Sequence, residues 1–139
     1  MTKREQIMQA LKALLETVPG IDGRVFRSRE DALSRDEAPA IVLYWDDEQT
    51  LQGVHAFTDK KLRVNVHVYQ RSAQPDSAAD PYVQAAHAAM MQNSSLGGLA
   101  IDVEEGDTGL ELDQADATAC FVNMQFFVHY RHQRDNLSV

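Results

Sequence analysis

The sequence predicts an α+β domain of two layers, two helices packed on one face of a mostly antiparallel β-sheet. Three observations predict it. Two segments, near residues 2–18 and 81–92, space their apolar residues at the helical period. The stretch Lys61-Leu-Arg-Val-Asn-Val-His-Val-Tyr69 alternates, with Leu62, Val64, Val66 and Val68 on one side and Arg63, Asn65, His67 and Tyr69 on the other. A long closing segment, 117–132, alternates in the same way. Two apolar stripes and one apolar sheet face balance, so both helices belong on the same side of the sheet.

The first helix is expected over Thr2 to Val18. Thr2 and Glu5 have capping-box spacing, and Ile7, Met8, Leu11, Leu14, Leu15 and Val18 form its stripe. Pro19-Gly20 stops it. A short strand, GRVFRS, follows with Val25 and Phe26. Arg29 to Ala38 is dense in both charges and is expected as a surface loop. After Pro39, AIVLYW has the β-branched and aromatic content of a strand. Asp46 to Asp59 is polar, with Gly53 as a breaker, and is expected as a long connection before the alternating strand.

The second helix is expected over Pro81 to Gln92. Asp80 can cap it, and Pro81 suits the first helical position, where its missing N–H leaves nothing unpaired. Asn93 to Gly98 ends it. LAIDVEE and LELD are strands around a turn at Glu104-Glu105-Gly106-Asp107. In the closing strand Cys120, Val122, Met124, Phe126, Val128 and Tyr130 share the apolar face, and Phe121, Asn123, Gln125, Phe127, His129 and Arg131 the other. Residues 1–132 make one domain and 133–139 a short tail. Leu11, Leu15, Val64, Val66, Met90, Val122, Met124 and Phe126 are the expected shared core.

With 139 residues the chain is one domain's length, enough to bury roughly two-thirds of its unfolded surface. Its 44% apolar and 24% charged residues are ordinary for a folded protein. The 21 Asp and Glu against 13 Lys and Arg leave a net charge of -8. That charge repels a phosphate backbone and argues against tight nucleic-acid binding. A single cysteine, Cys120, excludes an intrachain disulfide and fits a reducing compartment. The first twenty residues lack the apolar core of a signal peptide, and no run is long enough for a membrane span, so cytosolic synthesis is expected.

No residue constellation points to catalysis or to a cofactor. His129 and His132 would face opposite sides of a strand. His67 and His129 could be neighbours if their strands pair, but no third ligand accompanies them. His55 and His87 have no partner spacing. Cys120, mid-strand on the apolar face, has the setting of a core residue and not of a nucleophile. Asp46-Asp47-Glu48 and Asp102 to Asp107 do not match a calcium loop. SLGGL lacks the Lys-Ser/Thr of a phosphate loop. No metal ligand, cofactor site or catalytic residue is assigned.

Several phrases, in this order and spacing, resemble a known family. They are LLETVPGIDGRVFRSR, APAIVLYW, KLRVNVHVYQR, DPYVQAAHAAMMQNSSLGGLAIDV and FVNMQFFVHYR, which together span nearly the whole chain. The family is the tail-terminator (tail-completion) proteins of long-tailed bacteriophages and prophages, the lambda-type minor tail proteins. The resemblance implies a structural α/β protomer that assembles into a hexameric ring. The ring caps the finished tail tube, halts its polymerisation and offers a surface to the head's neck proteins. DNA would pass through the channel without being held, and the product would reside at the head-proximal end of the virion tail. Two other readings stand beside it: a neck or head-to-tail adaptor, and a small ligand-binding or enzymatic domain.

On this reading the polar sheet face meets protein, because a patch of aromatics is not what bulk water calls for. The expected subunit or tube contacts are Arg27, Arg29, Glu30, Arg35, Arg63, His67, Tyr69, Phe121, Phe127, His129 and Arg131. The expected channel-facing residues are Asp46, Asp47, Glu48, Glu104, Glu105 and Asp107. Segments Arg27 to Glu37 and Asp46 to Asp59 are expected to be mobile in isolation and to order on assembly.

Overall fold

The computed structural model describes residues 1–29, 31–113 and 115–139. Two helices, α1 (Lys3–Leu15) and α2 (Pro75–Met91), pack on one face of a five-stranded sheet. The strands are β1 (Val25–Arg27), β2 (Ala40–Val54), β3 (Phe57–Arg71), β4 (Asp102–Leu112) and β5 (Ala119–Gln133), in spatial order β1-β2-β3-β5-β4. Only β1 with β2 is parallel; the other pairs are antiparallel. The predicted α+β class is the observed one.

Helix α1 starts where its cap places it: Thr2 Oγ1 accepts from the Glu5 N–H at 3.1 Å. The return half of the capping box is not made. The Glu5 carboxylate is gripped by both terminal nitrogens of Arg27, at 2.5 and 3.0 Å. A charge-assisted, two-pronged bond outcompetes one backbone N–H. At the far end Gly20, at φ 87°, turns the chain under α2, where a Cβ would stand 2.8 Å from the Tyr82 ring. Only glycine fits that approach.

Three elements differ from the sequence expectation. Helix α2 begins six residues before Pro81, with Pro75 in the first turn. Pro75, Ala79, Ala86 and Met90 are all buried and form one stripe running past Pro81. Packing on both sides of the proline holds the helix together despite the lost backbone bond. Residues 46–59 are not a loop: β2 and β3 pair to Val54↔Phe57 and close in a two-residue turn at His55-Ala56. His55 takes φ 54°, as a tight hairpin turn requires. From Gln49 to Val54 every residue of β2 is exposed, because this part of the hairpin runs past the helices, and so the segment is polar. Residues 102–112 are one strand, and the expected turn at Gly106 is a bulge between Glu105 and Thr108. A Cβ on Gly106 would lie 2.9 Å from the Gln125 carbonyl, which is why the bulge sits there.

The core lies between helices and sheet. Leu11, Leu15, Val64, Val66, Met90, Met124 and Phe126 are buried in one cluster, with Val122 partly buried against it. A second, smaller cluster was not anticipated: Leu33, Val42, Tyr69 and Ala119 are buried on the opposite sheet face, with Phe26, Tyr44 and Phe121 against them. The outer face is therefore covered at one end by the segment carrying Leu33, and bare elsewhere.

Candidate functional site

The outer face of β2, β3, β5 and β4 collects most of the residues singled out from the sequence, in three zones. At the covered end stand aromatics. Tyr44 meets His67 edge-on at 5.1 Å between centroids, and Tyr69 meets Phe121 at 5.0 Å. Burial lowers the pKa of His67, so the neutral ring suits this setting. Beside it a recess of about 480 Å³ is lined by Leu33, Val42, Tyr44, His67 and Phe121, with Arg29, Asp31 and Glu111 around it.

The middle zone is a set of ion pairs. The β2 bulge between Trp45 and Asp47 lets both carboxylates reach one guanidinium: Arg63 Nε lies 2.8 Å from Asp46 and Arg63 Nη2 2.9 Å from Asp47. Burial works to raise the Asp46 pKa, but the Arg63 hydrogen bond and charge outweigh it and hold the net value below the ordinary one. Glu104 accepts from His129 at 2.9 Å and has Lys61 Nζ at 3.9 Å. The same lysine lies over the Phe127 ring at 4.5 Å. The residues expected at contacts and those expected at a channel are thus partners on one surface.

The third zone is the hairpin end. Arg131 binds Asp59 at 2.7 and 3.1 Å and lies over the exposed Phe57 ring at 5.4 Å. Residues 133–139 fold back onto this end and do not trail away. Arg134 N–H donates to Ala56 O at 2.7 Å, and Lys3 N–H donates to Leu137 O at 2.6 Å. Sequence reasoning missed this assembly, although two apolar residues, Leu137 and Val139, punctuate an otherwise polar segment.

Other expected residues lie elsewhere. Glu48 is on the helix face, bonded to the Tyr130 hydroxyl and to Arg4 Nη1. Glu105 also faces the helices and pairs with His87 of α2 at 2.8 Å. Arg27 ties β1 to α1 through Glu5. Arg29 binds Glu37 and lies over Phe26 at 4.7 Å, while Arg35 is exposed in the short turn Arg35–Glu37. Asp107 lies in the β4 bulge. Glu30 lies outside the described residues. His67 pairs with Asn123 and His129 with Lys61, so the two histidines are not neighbours. Among the described residues no group of three or more His, Cys, Asp or Glu is placed to hold a metal ion. Cys120 is buried, and burial pushes its thiol pKa up. No helix among the described residues is long and apolar enough to cross a membrane.

A one-layer helical cover, a bare charge-paired sheet face and a projecting hairpin define a structural domain with surfaces for other proteins. Residues 2–130 match the family model of phage minor tail protein U, and the chain belongs to that family. Among curated proteins none matches the chain. Among solved structures it is similar to a chain of the virion of the native gene transfer agent (GTA) particle. The two are 10% identical with a TM-score of 0.56 over 94% of this chain and 92% of that one, a likeness of fold. The protein is a structural component of a phage tail.

Proposed function

We propose that this chain is the tail terminator: a homo-hexameric ring that caps the tail tube, ends its polymerisation and offers a surface to the head-neck connector proteins. The observation that carries this reading is the outer sheet face, left open by the helices and prolonged by the β2–β3 hairpin beyond them. Neighbouring subunits cover the two ends of that face, the aromatic recess and the hairpin, and leave its charged middle zone open. His67, Phe121 and Phe127 lie on the surface turned to other subunits or the tube, and Tyr69, buried beneath the segment carrying Leu33, packs behind Phe121.

The Asp46, Asp47, Glu104 and Asp107 carboxylates share that face with a smaller number of cations, which are already paired. A channel so lined lets DNA pass without holding it, since free cations are what would bind phosphate. The role is assembly and not catalysis, and the ring sits at the head-proximal end of the tail.

The test is electron microscopy of tails made without the protein. Overlong tubes are expected, and adding the purified chain to growing tubes should fix their length. Tubes of normal length that fail only to join heads would mark a neck adaptor instead.

A further inference from the structure

We infer that one copy's hairpin end seats in the aromatic recess of the next copy, so that subunits join head to tail through two different surfaces. The inference rests on the ring reading above and names the contact that would build it. The hairpin end exposes Val54, Phe57 and Leu137 at 44%, 41% and 54%. Large apolar side chains so exposed, held rigidly by the fold-back of residues 133–139, are what an interface covers. The recess is the apolar concavity that matches them, and its volume of about 480 Å³ falls within the roughly 300–1,000 Å³ that accommodates a bulky group.

Charge favours the same pairing. Lys3, Lys60, Arg131 and Arg134 stand at the hairpin end against Asp59 and Asp135, leaving it positive on a chain whose net charge is -8. Asp31 and Glu111 border the recess, where Arg29, the one cation among the described lining residues, is already bound to Glu37. Opposite signs steer the two surfaces together and fix their register. Within one molecule they cannot meet. Phe57 and His67 are ten residues apart on β3, or roughly 34 Å along an antiparallel strand. Unlike surfaces that fit each other give a ring when the rotation closes.

The test uses the full chain with two double variants at exposed positions. Val54→Asp with Phe57→Glu spoils the hairpin end; Ala32→Trp, at a position that lines the recess, with Glu111→Arg fills the recess and cancels its negative charge. Mass is read by sedimentation, alone at rising concentration and on purified tail tubes, after melting confirms that each variant folds like the parent. The wild type is expected to form rings, and each variant to self-associate on the order of thirtyfold more weakly. An equimolar mixture of the two variants should form a one-to-one pair that grows no further, since it retains one intact end and one intact recess. Variants that form rings as well as the parent, or a mixture that stays single, overturn this contact while the ring stands. A wild-type chain that stays single on tubes overturns the ring and the contact together.

Discussion

The Tyr130 hydroxyl donates to one oxygen of Glu48, and Arg4 Nη1 donates to the other at 3.1 Å. Arg4 in turn lies over the Trp45 ring at 4.3 Å. One carboxylate therefore joins the start of α1, the middle of β2 and the far end of β5. Burial and the bond to Glu48 both raise the Tyr130 pKa, so the hydroxyl remains a donor through the alkaline range. The hairpin leaves the helix layer next to this junction, which ties helix and sheet together.

Removing one partner should show this. Tyr130→Phe is expected to cost about 1–2 kcal/mol, the value of a hydrogen bond to a charged group. Glu48→Ala should cost more, about 2–3 kcal/mol, because it strands both a buried hydroxyl and a guanidinium. Urea denaturation of the single and double variants measures the coupling. Strictly additive losses would mean that the two residues act independently.

The core is the plainest test of the assigned faces. Leu15 and Phe126 are 0% and 1% exposed, and replacing either by alanine is expected to cost about 2–5 kcal/mol by leaving a cavity. A loss under about 1 kcal/mol for Phe126→Ala would place that ring outside the packed layer.

These core positions were legible because alternation and helical spacing report which face meets the helices. The same signal failed where no helix covers the sheet. Asp46 to Val54 has the composition of a loop, yet backbone bonds to β3 need no apolar side chain, and the strand continues. Pro81 marked a helix start by its chemistry, and Pro75 took that place because the buried stripe extends back to it. Of the outer face, the alternation identified the residues but not their bonding. That Arg63 joins Asp46 to Asp47 depends on a bulge, and that Glu48 and Glu105 leave the face depends on register, neither of which composition records.

The segment that covers the recess should loosen in acid. Arg29 binds the Glu37 carboxylate through two nitrogens, and Ser34 N–H donates to the same group. The hydrogen bond from Arg29, with that from Ser34, lowers the Glu37 pKa from 4.5 to about 2. A carboxylate whose folded pKa is depressed contributes stability above its unfolded pKa and loses it as pH falls through the folded one. The contribution should thus be full above pH 4.5 and fade towards pH 2. Comparing wild type with Glu37→Gln across that window is the measurement. The gap between them should be constant at neutral pH and close on acidification. A gap that persists at the lowest pH would assign it to packing and not to the charge.

Charge on the outer face yields the prediction closest to function. Asp46, Asp47 and Glu104 hold Arg63, Lys61 and His129 in pairs, so the surface offers DNA few free cations. The wild-type chain is expected not to bind duplex DNA at physiological salt. Asp46→Lys with Asp47→Lys removes two carboxylates, frees Arg63 and adds two cations. Such a surface should gain affinity that falls steeply with salt, with a slope of about -0.9 in log units for each phosphate engaged. If the face lines a channel, tails carrying this variant should still be capped at normal length, because the substitution leaves the hairpin end and the recess intact. DNA should leave the particle more slowly, an effect read as delayed ejection that added salt restores. Normal ejection by rings shown to contain the variant would place these carboxylates away from the DNA path, and strong binding by the wild type would remove the argument from charge.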